Sequence, residues 1–497
     1  GYTMLDGKLQ YSNPFRQVFC IDFTYMTKSK VKKIKSGEQK INFSDTNKVP
    51  LIVFLRALTG KSYKELNTFY NGMLNFSIPY EYINADVETC AYKVMNVLNG
   101  NDSKKRSYIR NNAYSALHNY FCVNFTGLAT SEKIRKFQDM QSFHRLEGML
   151  VHKIPSYTGI EVGTIITRQI ATQLDNLDAT NPVFECQVKI PSTGKIVTYK
   201  RCKCSLESDS VVTEQFNTEE FMYAVYDYLI TKCGIPYSDD MNSLDCCVLQ
   251  DASGIIKSNL HKILFNITRN FANHLDKDVN RDNILDECIF KDAFVPTGDV
   301  KTPLNKMLEY IKASDESRDT DVTNSLATFQ QGYKISKVEL PAYQQIHESH
   351  VGRIDPYATP ESKDAGLNSV MCLRASIDQY NYITRPVYKV TNGVPDTSNL
   401  INLSTLDEKY KVIAPYGIDL ADYIEGNKIV PKCTLNFKEV DMPVSDVEYQ
   451  LAYLNCSGPA LTGCFFAAHN NTKRLIMANN AITQAAPVVV AEKPYIH

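Results

Sequence analysis

No continuous helix can run through residues 347–367, HESHVGRIDPYATPESKDAGL. Pro356 and Pro360 each fix φ, and each pushes the residue before it toward an extended conformation. Gly352 and Gly366 bracket the stretch and permit backbone angles closed to other residues. Between them lie Arg353, Asp355, Glu361, Lys363 and Asp364. A polar surface loop is the plain reading of such a composition. Far downstream, residues 469–488, HNNTKRLIMANNAITQAAPV, form a second polar stretch that can be read together with the first.

The 497 residues suggest two to four domains, and 43% hydrophobic content allows a sizeable core. A formal net charge of −1 argues against binding nucleic acid by bulk charge alone. The charge is uneven, because residues 1–64 hold twelve Lys or Arg against four acids. The run Lys30, Lys32, Lys33, Lys35 is either a solvated face or a phosphate-facing patch. None of the 14 cysteines forms a CxxC pair, which disfavours a structural zinc site. Reduced thiols in a cytoplasmic protein are the simplest account of them. The apolar runs at 51–55 and 485–491 are core-sized, too short to span a membrane. Lys outnumbers Arg 39 to 15, so an arginine inside a motif carries more information than usual.

Residues 15–23 alternate loosely and read as a strand. Pro50 opens a helix that Gly60 closes, and Ser62 with Glu65 at capping-box spacing opens the next. Helical periods recur at 86–98, 104–122, 131–148, 160–174 and 217–233. A strand pair is expected at 183–190 and 195–202 around a turn at 192–194. Helices are expected at 257–274 and 303–313, and strands at 380–390 and 409–414.

The two polar stretches together resemble the β subunit, the second-largest subunit, of multisubunit DNA-dependent RNA polymerases. The first carries Gly352-Arg353, Pro356, Thr359-Pro360-Glu361 and Gly366-Leu367 of that family's fork-loop pattern. The second carries His469, Arg474, Met477, Asn480, Gln484 and Pro487 of the family's next pattern. Residues 48–70 are similar to a pair of packed helices in the family's lobe, with a DNA-binding helix–turn–helix as the alternative. The resemblance implies a multidomain α+β fold: a mostly helical lobe-like domain at 1–238, a protrusion-like segment at 239–299, a mixed fork region at 300–395 and a β-rich active-site wall at 396–497. It covers the lobe, fork and start of the wall, as in the split β subunits of giant bacteriophages.

The implied activity is nucleotidyl transfer within a larger complex, with no catalytic residue in this chain. Two-metal chemistry of this kind wants clustered carboxylates. The family keeps these on a triple-aspartate loop of another subunit, so Mg²⁺ is expected in a partner and no metal here. Arg474 matches the arginine that reaches the phosphates of the incoming nucleotide, with Asn471, Met477 and Asn480 beside it. Gln484, Glu361, Asp364 and Arg353 match positions facing nucleic acid. Asn470 and Asn471 stand where the family has two acids, and Asp364 where bacterial members usually have Asn. Asp239-Asp240 keeps the acid pair of a third family site and little else of it. The implied partners are a C-terminal β fragment, β′ fragments, template DNA, nascent RNA, nucleoside triphosphates and a promoter-specificity factor, with no membrane. The alternative function is a non-catalytic structural or DNA-holding protein on a polymerase-derived fold.

Overall fold

The structure is a computed structural model. It describes residues 2–5, 7–13, 16–24, 38–42, 48–74, 84–99, 113–125, 136–177, 181–203, 217–240, 242–245, 328–330, 344–361, 365–366, 368–379, 382–424, 429–454, 457–458, 461 and 464–484. The chain divides into two compact units, residues 1–240 and 241–497.

In the first unit, strands β1 (Tyr2–Leu5), β2 (Lys8–Asn13), β3 (Arg16–Thr24), β4 (Glu38–Asn42) and β5 (Lys48–Pro50) form one antiparallel sheet in chain order. β5 leads directly into α1 (Leu51–Thr59), where Pro50 serves as N-cap. Gly60 ends α1 at φ 70°, and its amide bonds the Arg56 carbonyl. A side chain at that angle would be strained, which is why the helix stops there. Ser62 then caps α2 (Tyr63–Phe69) in a reciprocal box: its Oγ accepts from the Glu65 amide, and Glu65 accepts from the Ser62 amide at 2.7 Å. The Ser62 hydroxyl also donates to Glu65 Oε2 at 2.7 Å, and that bond first, with the Ser62 amide's, holds the exposed Glu65 carboxyl below its ordinary pKa.

α1 is enclosed on nearly every side, with Leu51 through Leu55, Ala57 and Leu58 all buried. Phe54 meets Phe121 and Phe221 edge-on, with ring centroids 5.4 and 5.6 Å apart. These rings come from α4 (Ala113–Phe125), which follows α3 (Val87–Asn99), and from α6 (Thr218–Lys232). The expected strand pair is β7 (Glu185–Lys189) and β8 (Ile196–Lys200), joined in a three-stranded sheet by β6 (Leu150–Lys153). The expected helix at 160–174 is only α5 (Arg168–Asp175), because Thr167 caps it late. Of 131–148, residues 136–140 are helical and Ser142 caps a separate turn at Phe143–Leu146.

Asp239 belongs to this framework. Its carboxylate accepts from the Met4 amide at 2.8 Å and from Lys136 Nζ at 2.8 Å, and its own amide returns a bond to the Met4 carbonyl at 2.7 Å. That tie fastens β1, so the first acid of the Asp239-Asp240 pair has a structural occupation.

The second unit is built on a seven-stranded sheet. Its strands are β11 (Ser376–Ile377), β12 (Ile383–Thr391), β13 (Val394–Ser404), β14 (Ile413–Ala414), β15 (Ile429–Leu435), β16 (Lys438–Pro443) and β17 (Tyr449–Leu451). The order is β11-β12-β17-β14-β15-β16, with β13 paired to β12 and only β14–β17 parallel. β9 (Thr328–Gln330) pairs with β10 (Asn368–Val370) separately. A short helix, α7 (Thr405–Glu408), follows β13, so the expected strand at 409–414 shrinks to β14. A domain boundary at 395/396 is corrected, because it would cut the β12–β13 hairpin, whose register runs from Thr391↔Val394 to Thr384↔Ser404. The expected helices at 257–274 and 303–313 lie outside the described residues.

Six cysteines are free among the described residues. Cys202 is disulfide-bonded, so the expectation of reduced thiols throughout fails there. Among the described residues no helix is long and apolar enough to cross a membrane.

Candidate functional site

The proline-bearing loop hangs on Arg353, whose side chain is 0% exposed. Its guanidinium donates to the carbonyls of Ile383 (3.0 Å), Ser349 (3.2 Å) and Leu403 (3.0 Å) and pairs with Glu408. Arg385 grips the other side of Glu408, with Nε 3.0 Å from Oε2 and a second bond to Oε1. Burial pushes the Glu408 carboxyl up, but the two arginines outweigh it and hold it below its ordinary pKa. Burial also draws Arg353 down to about 10, against the pull of Glu408. The Arg353–Glu408 pair is therefore ionised at neutral pH. This corrects the expectation for Arg353: three carbonyls and a carboxylate occupy its guanidinium, leaving nothing for nucleic acid. It clamps the start of the loop to β12, β13 and α7.

Two further ties fix the loop. Asp355, 2% exposed, accepts from the Gly458 amide at 2.8 Å and the Tyr357 amide at 2.9 Å. A Cβ on Gly458 would sit 2.7 Å from Asp355 Oδ2, so any larger residue there would have to displace the Asp355 carboxylate. Thr359 Oγ1 accepts from the Gly366 amide at 2.8 Å and closes the loop on itself. The two histidines ahead of it are structural. His347 Nδ1 accepts from the Ser349 amide (3.1 Å), and His350 Nε2 donates to the Asn242 carbonyl (2.7 Å).

The second motif folds into a helix, α8 (Thr472–Gln484). Asn471 precedes it, and its Oδ1 accepts from the Lys473 amide at 2.9 Å while its carbonyl accepts from the Leu475 amide. This is an N-cap, a task Asp and Asn perform about equally. The cap therefore survives loss of the acid that the resemblance places there. Leu475 and Asn479 bury one side of the helix, at 5% and 2% exposed. Met477 and Asn480, three residues apart, lie on another face. Asn480 donates to the Thr359 carbonyl at 3.4 Å, which brings the two motifs together.

Arg474 lies in the first turn of α8 and is exposed. Among the described residues its one hydrogen bond runs from Nη1 to the Met477 sulfur at 3.7 Å, and no carboxylate pairs with it. No acid stands in that first turn, where Lys473 and Arg474 sit side by side. Two cations at the positive end of a helix dipole are unfavourable unless an anion joins them. Glu361 is exposed, close in sequence to Thr359. Asp364 lies outside the described residues, as does the side chain of Gln484. Among the described residues no group of three or more His, Cys, Asp or Glu could hold a metal ion.

Sequence reasoning missed Glu408, Arg385 and Asp355 as the frame of the site. The scarcity of arginine was the available signal for Arg385; the partners of Glu408 and Asp355 come from distant segments.

No family model matches the chain. Curated relatives do. The chain is 32% identical over 201 residues to the DNA-directed RNA polymerase subunit beta of Synechococcus sp. (strain RCC307), covering 38% of this chain and 18% of that protein. The subunit beta of Gracilaria tenuistipitata var. liui is 29% identical over 201 residues, with the same coverage of 38% and 18%. That of Oltmannsiellopsis viridis is 28% identical over 210 residues, 39% of this chain and 14% of the relative. The chain thus matches under a fifth of the length of these relatives.

Proposed function

We propose that this chain, similar over more than a third of its length to RNA polymerase β subunits, is one part of a split β subunit in a multisubunit DNA-directed RNA polymerase. The observation that carries this reading is the junction of the motifs: Asn480 of α8 bonded to Thr359 of the loop, with an exposed, carboxylate-free Arg474 one face away. In this reading Arg474 forks onto the triphosphate of the incoming nucleotide. Asn471 orients the turn that carries Arg474, and Met477 braces the guanidinium. Asn480 couples the helix to the loop, and in this reading Glu361, Asp364 and Gln484 serve the growing end of the RNA and the template. The chain supplies positioning and charge neutralisation, not the metal site. Catalytic Mg²⁺ is held by a partner subunit.

The partners are the remaining β fragment, β′ fragments, a promoter-specificity factor, DNA and RNA. The complex works in the cytoplasm, that of the host cell if a phage encodes it. The alternative is a non-catalytic structural or DNA-holding protein, which would equally seat a backbone phosphate on Arg474, and the assembly test separates the two readings.

Affinity purification of the tagged chain, followed by mass spectrometry, tests the assembly. The expected result is co-purification of chains bearing the triple-aspartate loop and the rest of β, through a large obligate interface of roughly 2,000 Å² or more. The purified chain alone, given template, nucleotides and Mg²⁺, is expected to make no RNA. RNA synthesis by the chain alone, or a stable monomer that ignores those partners, would overturn the reading.

A further inference from the structure

The β15–β16 hairpin turns on two residues, Asn436 and Phe437, since Leu435 pairs with Lys438. Both have left-handed backbones, φ 51° and 58°. This is the tight hairpin turn whose second position favours glycine. The β12–β13 hairpin of the same sheet follows that preference: Thr391 pairs with Val394, and Asn392 and Gly393 carry φ 53° and 76°. Phe437 therefore puts a bulky side chain where the other hairpin uses glycine, and its backbone is strained. Nor is it solvated, as a hairpin tip usually is. Asn436 and Lys438 are exposed, but Phe437 is only 7% exposed. Among the described residues it joins none of the second unit's apolar clusters. Its ring meets that of His347 edge-on instead, with centroids 5.6 Å apart.

His347 caps the short turn Glu348–His350 at the head of the proline-bearing loop. Its Nδ1 accepts from the Ser349 hydroxyl at 2.8 Å as well as from the Ser349 amide. Ser349 Oγ accepts from the Leu244 amide at 3.0 Å, and the Ser349 carbonyl is one of the three that hold Arg353.

We infer that Phe437 is a positioning residue for nucleotide addition: the hairpin tip sets its ring against His347 and so fixes where the loop begins. The contacts run from His347 through Ser349 to Arg353, and from Thr359 of the loop to Asn480 on α8. The turn itself needs no ring, because Asn392-Gly393 makes the same turn without one. A strained residue persists only where its surroundings hold it, and such residues gather at functional sites. Here the surroundings are the head of the loop, so the loop is what the strained tip braces. The inference rests on the split-β reading, which supplies the reaction.

Phe437→Gly suits the turn and removes the ring, so it separates the two roles. In hydrogen exchange on the full chain, the loop amides of Tyr357 and Gly366 should lose protection while β15 and β16 keep theirs. In the assembled polymerase, kcat/KM for nucleotide should fall by about tenfold or more, since a small misplacement by a remote change can cost about a hundredfold. Asn436→Gly, at the other position of the same turn, should leave both readings unchanged. If melting curves show Phe437→Gly unfolded, His347→Asn replaces it with the same expected losses, because asparagine keeps the cap without the ring. Lost protection confined to the hairpin, or a loosened loop with kcat/KM unchanged, would each overturn the inference. A parent complex that makes no RNA overturns the split-β reading instead, and that failure shows in the parent rather than in the variant.

Discussion

Arg474→Ala is the substitution that separates a nucleotide-gripping residue from a structural one. Its side chain is exposed, and its one hydrogen bond among the described residues is to the Met477 sulfur at 3.7 Å. Truncation therefore removes almost no packing, and a surface change of that kind falls within about 0.5 kcal/mol. The sign can even favour the mutant. A cation in the first turn opposes the helix dipole, a cost of about 0.3–1 kcal/mol at low salt that alanine lifts. The melting temperature of the assembled complex should hold or rise slightly. Function should fall, because a charge-assisted bond to a phosphate is worth roughly 1.5–3 kcal/mol. That corresponds to about a ten- to hundredfold loss of kcat/KM for nucleotide. Arg474→Lys should recover only part, since an ammonium cannot fork onto two oxygens. The assay is elongation rate against nucleotide concentration on a preassembled scaffold, beside a melting curve. A normal rate and apparent KM with a lowered melting temperature would refute the argument and make Arg474 structural.

Glu408→Gln should destabilise the second unit by about 3–5 kcal/mol, because it leaves Arg353 and Arg385 buried without their carboxylate; a loss under about 1 kcal/mol in urea unfolding would contradict the clamp. The Glu408 carboxyl is lowered in the folded state, so its contribution is present above the unfolded pKa and lost as pH falls through the lower folded value. Unfolding midpoints measured down an acid series should show that loss in the parent and not in Glu408→Gln. Ser62→Ala should cost about 1 kcal/mol by removing the capping box of α2, read as a small drop in unfolding midpoint with nucleotide use untouched.

Local signals were legible in the sequence wherever the cause was local. Pro50, Gly60 and the Ser62–Glu65 pair set the ends of α1 and α2 from within a few residues, and the structure has those ends. The β7–β8 hairpin was legible for the same reason, since alternation and a turn at 192–194 act at short range. The two motifs carried the resemblance to RNA polymerase β subunits because a residue pattern survives in the order of the chain, and curated relatives of that name match over 38% of it. Arg353 shows where that reading stops. Its place in the motif made it a candidate for nucleic acid, but the carbonyl of Leu403 and the carboxylate of Glu408, some 50 residues on, occupy it. A sequence holds no record of which distant acceptor reaches a guanidinium. The same holds for Asp355, whose partner amide at Gly458 lies 103 positions away, and for the contact of Thr359 with Asn480 across 121 positions. What Arg474 could bind was written in its chemistry. That it stands exposed on a capped helix, with no carboxylate beside it among the described residues, was decided only by the fold, because burial and pairing are properties of segments brought together in space.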